Sequence, residues 1–284
     1  MDTQINKQVW FITGASSGIG LDLAKTLVEK GYCVAGTSRK LANIQDKIQS
    51  PLFLALQMDV VSEANVAEGL KKVVEKFGRV DVIVNNAGQA MFGSVEEVSD
   101  KEMREMFDSN YFGPMNVIRQ ALKYLRPQKS GVIFNVSSIA GYSGMENWGS
   151  YVATKFALSG VSESLAKECK LFGVQVCSVS PGFVRTPIHN VMNFVQEEIP
   201  EYKSRETVTG LYKYLDTQPF SDSIKMAHLL IQVAQENDIP IYLFCGKDAN
   251  YYAKAKIATV SEIILKNEKR SGEDILEDSK PNGH

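Results

Sequence analysis

Cysteine is scarce in this 284-residue sequence, and none of its four cysteines forms a Cys-x-x-Cys pair. Cys33, Cys169, Cys177 and Cys245 instead lie within apolar helix or strand patterns. Disulfide frameworks and zinc sites depend on closely spaced ligands, so neither is expected, and the sequence predicts no metal site. Reduced, buried thiols are typical of the cytoplasm, which is the compartment we predict.

Long apolar runs and an excess of charge are also lacking. No window approaches the roughly 18 consecutive apolar residues that a membrane span requires. The 31 Lys and Arg residues nearly balance the 33 Asp and Glu residues, leaving a formal net charge of -2. This balance gives no electrostatic reason to expect nucleic acid or an anionic membrane as a partner.

No internal repeat and no low-complexity linker divides the chain. Its 44% hydrophobic residues are sufficient for one large buried core. We therefore predict a single domain over residues 1–265, followed by a charged stretch over residues 266–284 that forms a frayed helix end and a disordered tail.

Seven short apolar runs, rich in β-branched residues, predict buried parallel strands. These runs are Val9–Ile12, Val34–Thr37, Leu52–Gln57, Val80–Val84, Val132–Val136, Val174–Val179 and Ile241–Phe244. Helical periodicity appears between them, in Gly18–Lys30, Ala64–Phe77, Lys101–Leu125 and Tyr151–Phe172. Strict alternation of strands and helices predicts an α/β fold: a doubly wound, Rossmann-type parallel sheet of about seven strands with helices on both faces.

One segment, residues 189–220, breaks this alternation between the sixth and seventh strands. It offers apolar surface at Phe194, Tyr202, Tyr212 and Tyr214. Because ligands bind at the carboxyl edge of parallel sheets, where this insertion emerges, we predict a substrate lid. A helical excursion without a role in binding remains the alternative.

A glycine-rich turn follows the first strand and opens the first helix, over Thr13–Gly20. Its glycines at 14, 18 and 20 allow a sharp turn and bring backbone N–H groups at the helix N-terminus close to a pyrophosphate. The spacing is Gly-x3-Gly-x-Gly rather than the Gly-x-Gly-x2-Gly of long-chain dehydrogenases. Its position after the first strand favours dinucleotide binding over an ordinary tight turn.

These motifs resemble the short-chain dehydrogenase/reductase family, in the subgroup marked by TGxxxGIG. The run Asn85–Gly88 matches that family's second signature, and Asp59 matches the position that meets the adenine. The resemblance runs from Thr13 to Thr186 and implies hydride transfer between a nicotinamide dinucleotide and a small carbonyl or alcohol. The cofactor contacts that it implies are Gly14, Ser16, Ser17, Gly18, Ile19, Gly20, Ser38, Arg39, Asp59, Val60, Asn86, Ala87, Gly88, Tyr151, Lys155, Pro181, Gly182, Val184 and Thr186.

The end of the second strand predicts NADP(H) rather than NAD(H). NAD-preferring proteins carry an acidic residue there, whereas this chain has Ser38, Arg39 and Lys40. A charge-assisted bond to phosphate contributes about 1.5 to 3 kcal/mol. The alternative to phosphate binding is that Arg39 and Lys40 are solvated surface residues at the start of the next helix. The second basic contact that the family implies, inside the glycine turn, is replaced by Ser17.

Tyr151 and Lys155 lie four residues apart in a helical pattern, which places both on one helix face. A cation beside a phenol stabilises the phenolate, so Lys155 is predicted to lower the pKa of Tyr151 and allow proton transfer. Tyr252 and Lys256 repeat the spacing, but no strand followed directly by a serine run precedes them. We therefore assign them to a solvated helix face.

Two more positions complete the resemblance to an Asn-Ser-Tyr-Lys tetrad. Ser138 stands thirteen residues before Tyr151 and is expected to polarise the substrate oxygen; a turn cap is the alternative. Asn110 is implied as the residue whose carbonyl holds a water beside the lysine. Pro114 has no N–H and leaves that carbonyl without its usual helical partner.

The predicted enzyme is thus an NADP-dependent oxidoreductase acting on CH–OH and C=O groups. A dinucleotide-binding redox sensor and an acyl-carrier-linked 3-oxoacyl reductase are the alternatives. A homo-oligomer, dimer or tetramer, is expected because the helices over 101–125 and 151–172 resemble the family's dimerising pair. An apolar pocket for a lipophilic substrate is predicted from Met91, Phe92, Met145, Trp148, Phe194 and Tyr202.

Overall fold

A computed structural model describes residues 7–184, 193–215, 217 and 221–271. Its centre is one parallel sheet with the strand order β3-β2-β1-β4-β5-β6-β7. The strands are β1 Val9–Ile12, β2 Cys33–Ser38, β3 Phe53–Gln57, β4 Val82–Asn85, β5 Gly131–Val136, β6 Val174–Pro181 and β7 Tyr242–Cys245. The predicted doubly wound sheet of seven strands is confirmed.

Eight α-helices cover the two faces of the sheet within the described part of the chain. They are α1 Gly18–Glu29, α2 Glu63–Phe77, α3 Asp100–Phe107, α4 Gly113–Gln128, α5 Gly149–Cys169, α6 Ser204–Leu215, α7 Ser223–Val233 and α8 Lys247–Ser271. None of these helices is long and apolar enough to cross a membrane. The four cysteines are free and buried.

Alternate residues of the buried strands supply two separate cores. On β1, Trp10 and Ile12 pack with residues of α1 and α7 on one face of the sheet. Val9 and Phe11 point to the other face, where α2, α4 and α5 lie. Because a strand buried on both faces has no polar side, it is read in the sequence as a continuous apolar run.

The prediction of one continuous helix over 101–125 was wrong in one respect, because the helix is interrupted. A wider π-type turn over Asp108–Phe112 separates α3 from α4. Pro114 cannot donate a backbone hydrogen bond, and at this point the Gly113 N–H reaches back five residues to the Asp108 carbonyl. Asn110 lies inside this turn and is fully buried.

At the other end of the chain, α8 continues through Ser271. The predicted boundary at residue 266 therefore falls inside a helix, and residues 272–284 lie outside the described part. The seven strands and the helices between them form the body onto which α8 packs through Ala249 and Ala253.

The carboxyl ends of the strands gather at one edge of the sheet. The strand order reverses between β1, which leads to β2, and β4, which leads to β5. The loops after these strands leave in opposite directions and open a crevice, which is where open α/β sheets bind ligands.

The segment over 193–204, between β6 and β7, is held against the body by two buried carboxylates. Glu97 accepts the Ile199 N–H at 2.9 Å and the Ser204 hydroxyl at 2.6 Å. Glu102 accepts the Gln196 N–H at 3.0 Å. Burial alone would raise the pKa of Glu97, but hydrogen bonds from Ser204 and two backbone amides hold it below its usual value.

Candidate active site

A cleft of about 1080 Å³ occupies the crevice at the carboxyl edge. Its wall contains most of the residues that the sequence predicts as cofactor contacts. They are Gly14, Ser16, Ser17, Gly18, Ile19, Ser38, Arg39, Asp59, Val60, Asn86, Ala87, Gly88, Tyr151, Lys155, Pro181, Gly182 and Val184. Thr186 lies outside the described residues.

The glycine turn is clasped to the turn that follows β4. Asn86 Nδ2 donates to the Thr13 carbonyl at 2.9 Å and to the Gly14 carbonyl at 3.0 Å. Thr13 Oγ1 in return accepts the N–H groups of Asn86 and Ala87, both at 3.0 Å. Gly14 has a φ of +66°, and a Cβ there would stand 2.8 Å from Ala87 Cα. Glycine is therefore needed for both conformation and space.

Gly20 differs from the other predicted contacts because it is buried beneath the turn rather than in the cleft wall. A Cβ at this position would lie 2.6 Å from the Gly14 carbonyl and 2.5 Å from Asn86 Nδ2. Its role in the structure is to let α1 pack against the turn.

The shape and chemistry of the cleft fit a dinucleotide. Gly18 and Ile19, the first residues of α1, lie in its wall, where unpaired N–H groups and the helix dipole favour a phosphate. The cleft extends past the end of β2 at Arg39 and past β3 at Asp59. In the other direction it reaches Tyr151, so one continuous cavity joins the predicted phosphate site to the predicted catalytic residues.

The predicted catalytic serine and tyrosine meet in this cleft. Ser138 follows β5 and Tyr151 lies on α5; both side chains line the cleft, and the Ser138 hydroxyl lies where it favours the Tyr151 phenolate. Ser138 also accepts the Ala140 N–H at 3.1 Å, so it caps the turn as well as contacting the tyrosine. The two readings of Ser138 are therefore compatible.

The expected lowering of the tyrosine pKa was wrong for this structure. Burial raises the pKa of Tyr151 to about 12, and the hydrogen bond from Ser138 opposes the shift. The phenolate loses its hydration in the buried site. Lys155 Nζ is 5.8 Å from the centre of the tyrosine ring and donates to the Val136 carbonyl at 2.9 Å. Tyr151 therefore carries its proton at neutral pH.

Lys155 is shifted in the direction that suits proton transfer. Burial lowers its pKa to about 8, because the charged ammonium is poorly solvated there. The group can therefore hold or release a proton close to neutral pH, whereas an exposed lysine would stay charged.

Asn110 lies beside the cleft rather than in its wall. Its amide Nδ2 donates to the Gln89 carbonyl at 2.8 Å and to Thr154 Oγ1 at 3.1 Å, and its Oδ1 accepts the Gln89 N–H at 2.8 Å. A Cβ on Gly88 would be 3.0 Å from this oxygen and 3.6 Å from Lys155 Nζ. Asn110 thus joins the loop after β4 to the helix that carries Tyr151 and Lys155.

The second Tyr-x3-Lys pair is remote from this arrangement. Tyr252 and Lys256 lie on α8, are both exposed, and do not line the cleft. The interpretation of this pair as an exposed helix face agrees with the structure.

An aromatic cluster forms the wall of the cleft next to Tyr151. Phe92 packs edge-on against Trp148, with ring centres 4.8 Å apart, and Met145 lines the same cleft. Phe194 contacts Phe92 from behind, at 5.7 Å. Of these four residues, Phe92, Met145 and Trp148 line the cleft as predicted, whereas Phe194 packs against Phe92 outside its wall.

Three members of the predicted pocket do not line the cleft, and two residues that line it were missed. Met91 and Phe194 do not line the cleft, and Tyr202 is 41% exposed with its hydroxyl bonded to Glu96. Tyr212 and Phe183 line the cleft instead. The spacing of Val208 and Tyr212, both buried on one face of α6, was the available signal for Tyr212.

Phe183 has no comparable sequence signal. The carboxylate of Asp248, at the start of α8, accepts its N–H at 2.6 Å, and its ring stands perpendicular to Trp148 at 6.2 Å. A contact with a residue 65 positions away in sequence thus holds Phe183 at the end of β6, and no local sequence pattern indicates such a contact.

Comparison with known proteins agrees with this architecture. The family model for short chain dehydrogenases matches residues 8–196, more than half of the chain. A 3-ketodihydrosphingosine reductase from Bacteroides thetaiotaomicron is 38% identical over 179 residues, covering 63% of this chain and 65% of that protein.

Solved structures show the same fold. A short-chain dehydrogenase from Streptomyces avermitilis superposes with a TM-score of 0.85 at 30% identity, covering 94% of this chain and 98% of that one. The structure of ElxO with NADP bound gives a TM-score of 0.71 at 29% identity, covering 84% and 97%. The chain therefore belongs to the short-chain dehydrogenase family of hydride-transfer oxidoreductases.

Proposed function

We propose that this protein is an NADP(H)-dependent oxidoreductase that interconverts a lipophilic carbonyl compound and its alcohol. The observation that carries the proposal is the single cleft in which the glycine turn, Arg39 and the Ser138–Tyr151 pair share one wall. When bound, the nicotinamide would supply the hydride for reduction of the carbonyl carbon.

The residues of the chain would handle the proton. Tyr151 is protonated at neutral pH and is the group that donates to the substrate oxygen, while the Ser138 hydroxyl polarises that oxygen. Lys155, with a pKa of about 8, returns the proton to the tyrosine. Asn110 keeps the loop after β4 against α5. Because Pro114 has no N–H to donate to the Asn110 carbonyl, that carbonyl is the proposed site for a water in this path.

The preference for NADP(H) rests on the end of β2. Arg39 and Lys40 line the cleft there, and Ser38 accepts the Lys40 N–H at 3.4 Å. No carboxylate stands at this point to repel a 2′-phosphate. The NADP bound to the structurally similar ElxO supports the same choice.

The proposed lipophilic substrate rests on the wall next to Tyr151. The wall of the cleft next to Tyr151 is aromatic and is formed by Phe92, Trp148, Tyr212 and Phe183. Pockets of this kind bind apolar ligands and use a few polar groups to orient them. A relative named for the reduction of 3-ketodihydrosphingosine is consistent with this class.

We further propose that residues 193–215, within the described part of the predicted lid over 189–220, cover the substrate; residues 189–192, 216 and 218–220 lie outside the described residues. Tyr212 on α6 stacks parallel to Trp148 with ring centres 6.2 Å apart, so the described part of the segment contributes directly to the wall. The predicted cytoplasmic location and homo-oligomeric state stay predictions.

Replacing Tyr151 by Phe removes the proton donor but keeps the ring against Trp148, and turnover should fall by at least about 10²-fold. Titration with NADPH should show nearly unchanged binding. Tyr252→Phe, in the exposed second pair, is the matched control and should keep full activity. An equal loss in both variants would show that the proton donor has been wrongly assigned.

Replacing Arg39 by Ala should weaken NADPH binding by roughly 10-fold or more while changing NADH binding little, because only NADPH carries the phosphate. Arg126→Ala, at an exposed position of α4 outside the cleft, is the control. Titrations of both cofactors decide the matter: equal weakening, or a wild-type preference for NADH, would contradict the cofactor assignment.

Hydrogen exchange tests the lid. Amides over 193–204 should exchange faster than those of the strands in the free protein and slow down when NADPH and a substrate bind. Glu97→Gln should speed exchange at Ile199 by roughly 10-fold, since a charged acceptor is lost, whereas Glu29→Gln, at an exposed position of α1, should not. Protection equal to that of the strands, with and without ligands, would make the segment fixed scaffold.

A further inference from the structure

Three cations gather where β2 meets the glycine turn. Arg39 and Lys40 line the cleft; Lys47 lies outside its wall, and its Nζ donates at 2.8 Å to the carbonyl of Ser16, which lines it. Among the described residues, none of these three side chains forms an ion pair with a carboxylate. Positive charge without internal compensation at a ligand cleft is an expected feature of an anion site.

The fold holds Lys47 in this place through a buried anchor. Ile44 is fully buried, and a Cβ on Gly36 would lie 3.0 Å from both Ile44 Cδ1 and Ala15 Cβ. The Lys47 N–H bonds the Ile44 carbonyl at 3.1 Å, which turns the chain back. The loop after β2 is thereby packed against the glycine turn, with Lys47 positioned over Ser16.

The glycine turn is tied to the same place from below. The Ala15 N–H donates to the Thr37 carbonyl, at the end of β2, at 2.9 Å. Ser16 and Ser17 therefore stand next to Ser38 and Arg39, and Lys47 approaches from the loop side. The turn itself carries only hydroxyl side chains at this point, so any second positive charge must come from another segment.

We propose that Lys47 is a specificity-determining residue that binds the 2′-phosphate of NADP(H) together with Arg39, supplying the positive charge that Ser17 does not. This inference rests on the proposed use of NADP(H). The ligand group is a phosphate monoester, which carries close to two negative charges at neutral pH.

The chemistry of the ammonium suits this role. It has three N–H donors, of which the Ser16 carbonyl takes one, and the other two remain for phosphate oxygens. The bond to Ser16 already orders the side chain, so less conformational entropy is lost on binding. Two acidic residues lie near Lys47: Asp46 precedes it in sequence, and Asp59 lines the cleft. Neither forms an ion pair with Lys47.

The test is a fluorescence titration of the intact protein with NADPH and with NADH. Lys47→Gln should raise the Kd for NADPH by roughly 5- to 10-fold, a size set by a charge-assisted bond at an exposed site, and should change the Kd for NADH by less than about 2-fold. Lys47→Arg keeps the charge and should retain the preference for NADPH. Lys170→Gln, an exposed lysine at the opposite edge of the sheet, is the matched control.

The outcomes separate this inference from the proposed function. If the wild-type protein prefers NADPH and Lys47→Gln weakens both cofactors alike, Lys47 only supports the glycine turn and the inference is overturned. Unchanged NADPH binding in Lys47→Gln overturns it as well. In both cases Arg39 and the use of NADP(H) are unaffected, whereas a wild-type protein that binds NADH as tightly as NADPH overturns the cofactor choice and this inference together.

Discussion

The close approach of two backbone turns is the constraint on which the site depends. The turn after β1 and the turn after β4 meet at the reversal of strand order, and Asn86 bonds the carbonyls of Thr13 and Gly14 across the gap. Backbones come this near only where no Cβ intervenes, and the 2.8 Å that a Cβ on Gly14 would leave to Ala87 shows how tight the fit is. The glycine-turn end of the cleft is thereby fixed relative to β4.

The same contact extends to the proton chemistry. Beyond Ala87 the chain passes Gly88, where a Cβ would stand 3.0 Å from Asn110 Oδ1 and 3.6 Å from Lys155 Nζ, and Asn110 bonds Thr154, one residue before that lysine. The π-type turn around Asn110 matters here because it interrupts the α3–α4 helix at the point where it faces α5. A series of short contacts thus sets the distance between the glycine-turn end and the tyrosine end of one cavity.

Much of this arrangement follows from the sequence. Buried parallel strands are recognised in the sequence as apolar runs. The glycine turn and the Tyr-x3-Lys spacing each depend on only a few neighbouring residues. Properties that depend on the whole environment do not follow in this way. The pKa of Tyr151 is raised by burial, which no local pattern reports, while the lysine expected to lower it is bonded to Val136.

The same limit explains the pocket residues. Tyr202 is aromatic, as pocket residues often are, but its hydroxyl bonds Glu96 at the surface. Phe183 is held in place by Asp248, 65 residues away in sequence. Long-range contacts of this kind become visible only when the chain is folded.

The central claim is that this cleft transfers hydride from NADPH to a lipophilic carbonyl carbon. It is tested most directly with NADPH that carries deuterium at both C4 positions of the nicotinamide and a series of ketones of increasing chain length, with the alcohol products analysed by mass spectrometry. The account predicts one deuterium on the carbinol carbon and a kcat/KM that rises with chain length, as the aromatic wall is filled. Alcohol without deuterium, or no alcohol from any ketone of the series, would contradict it.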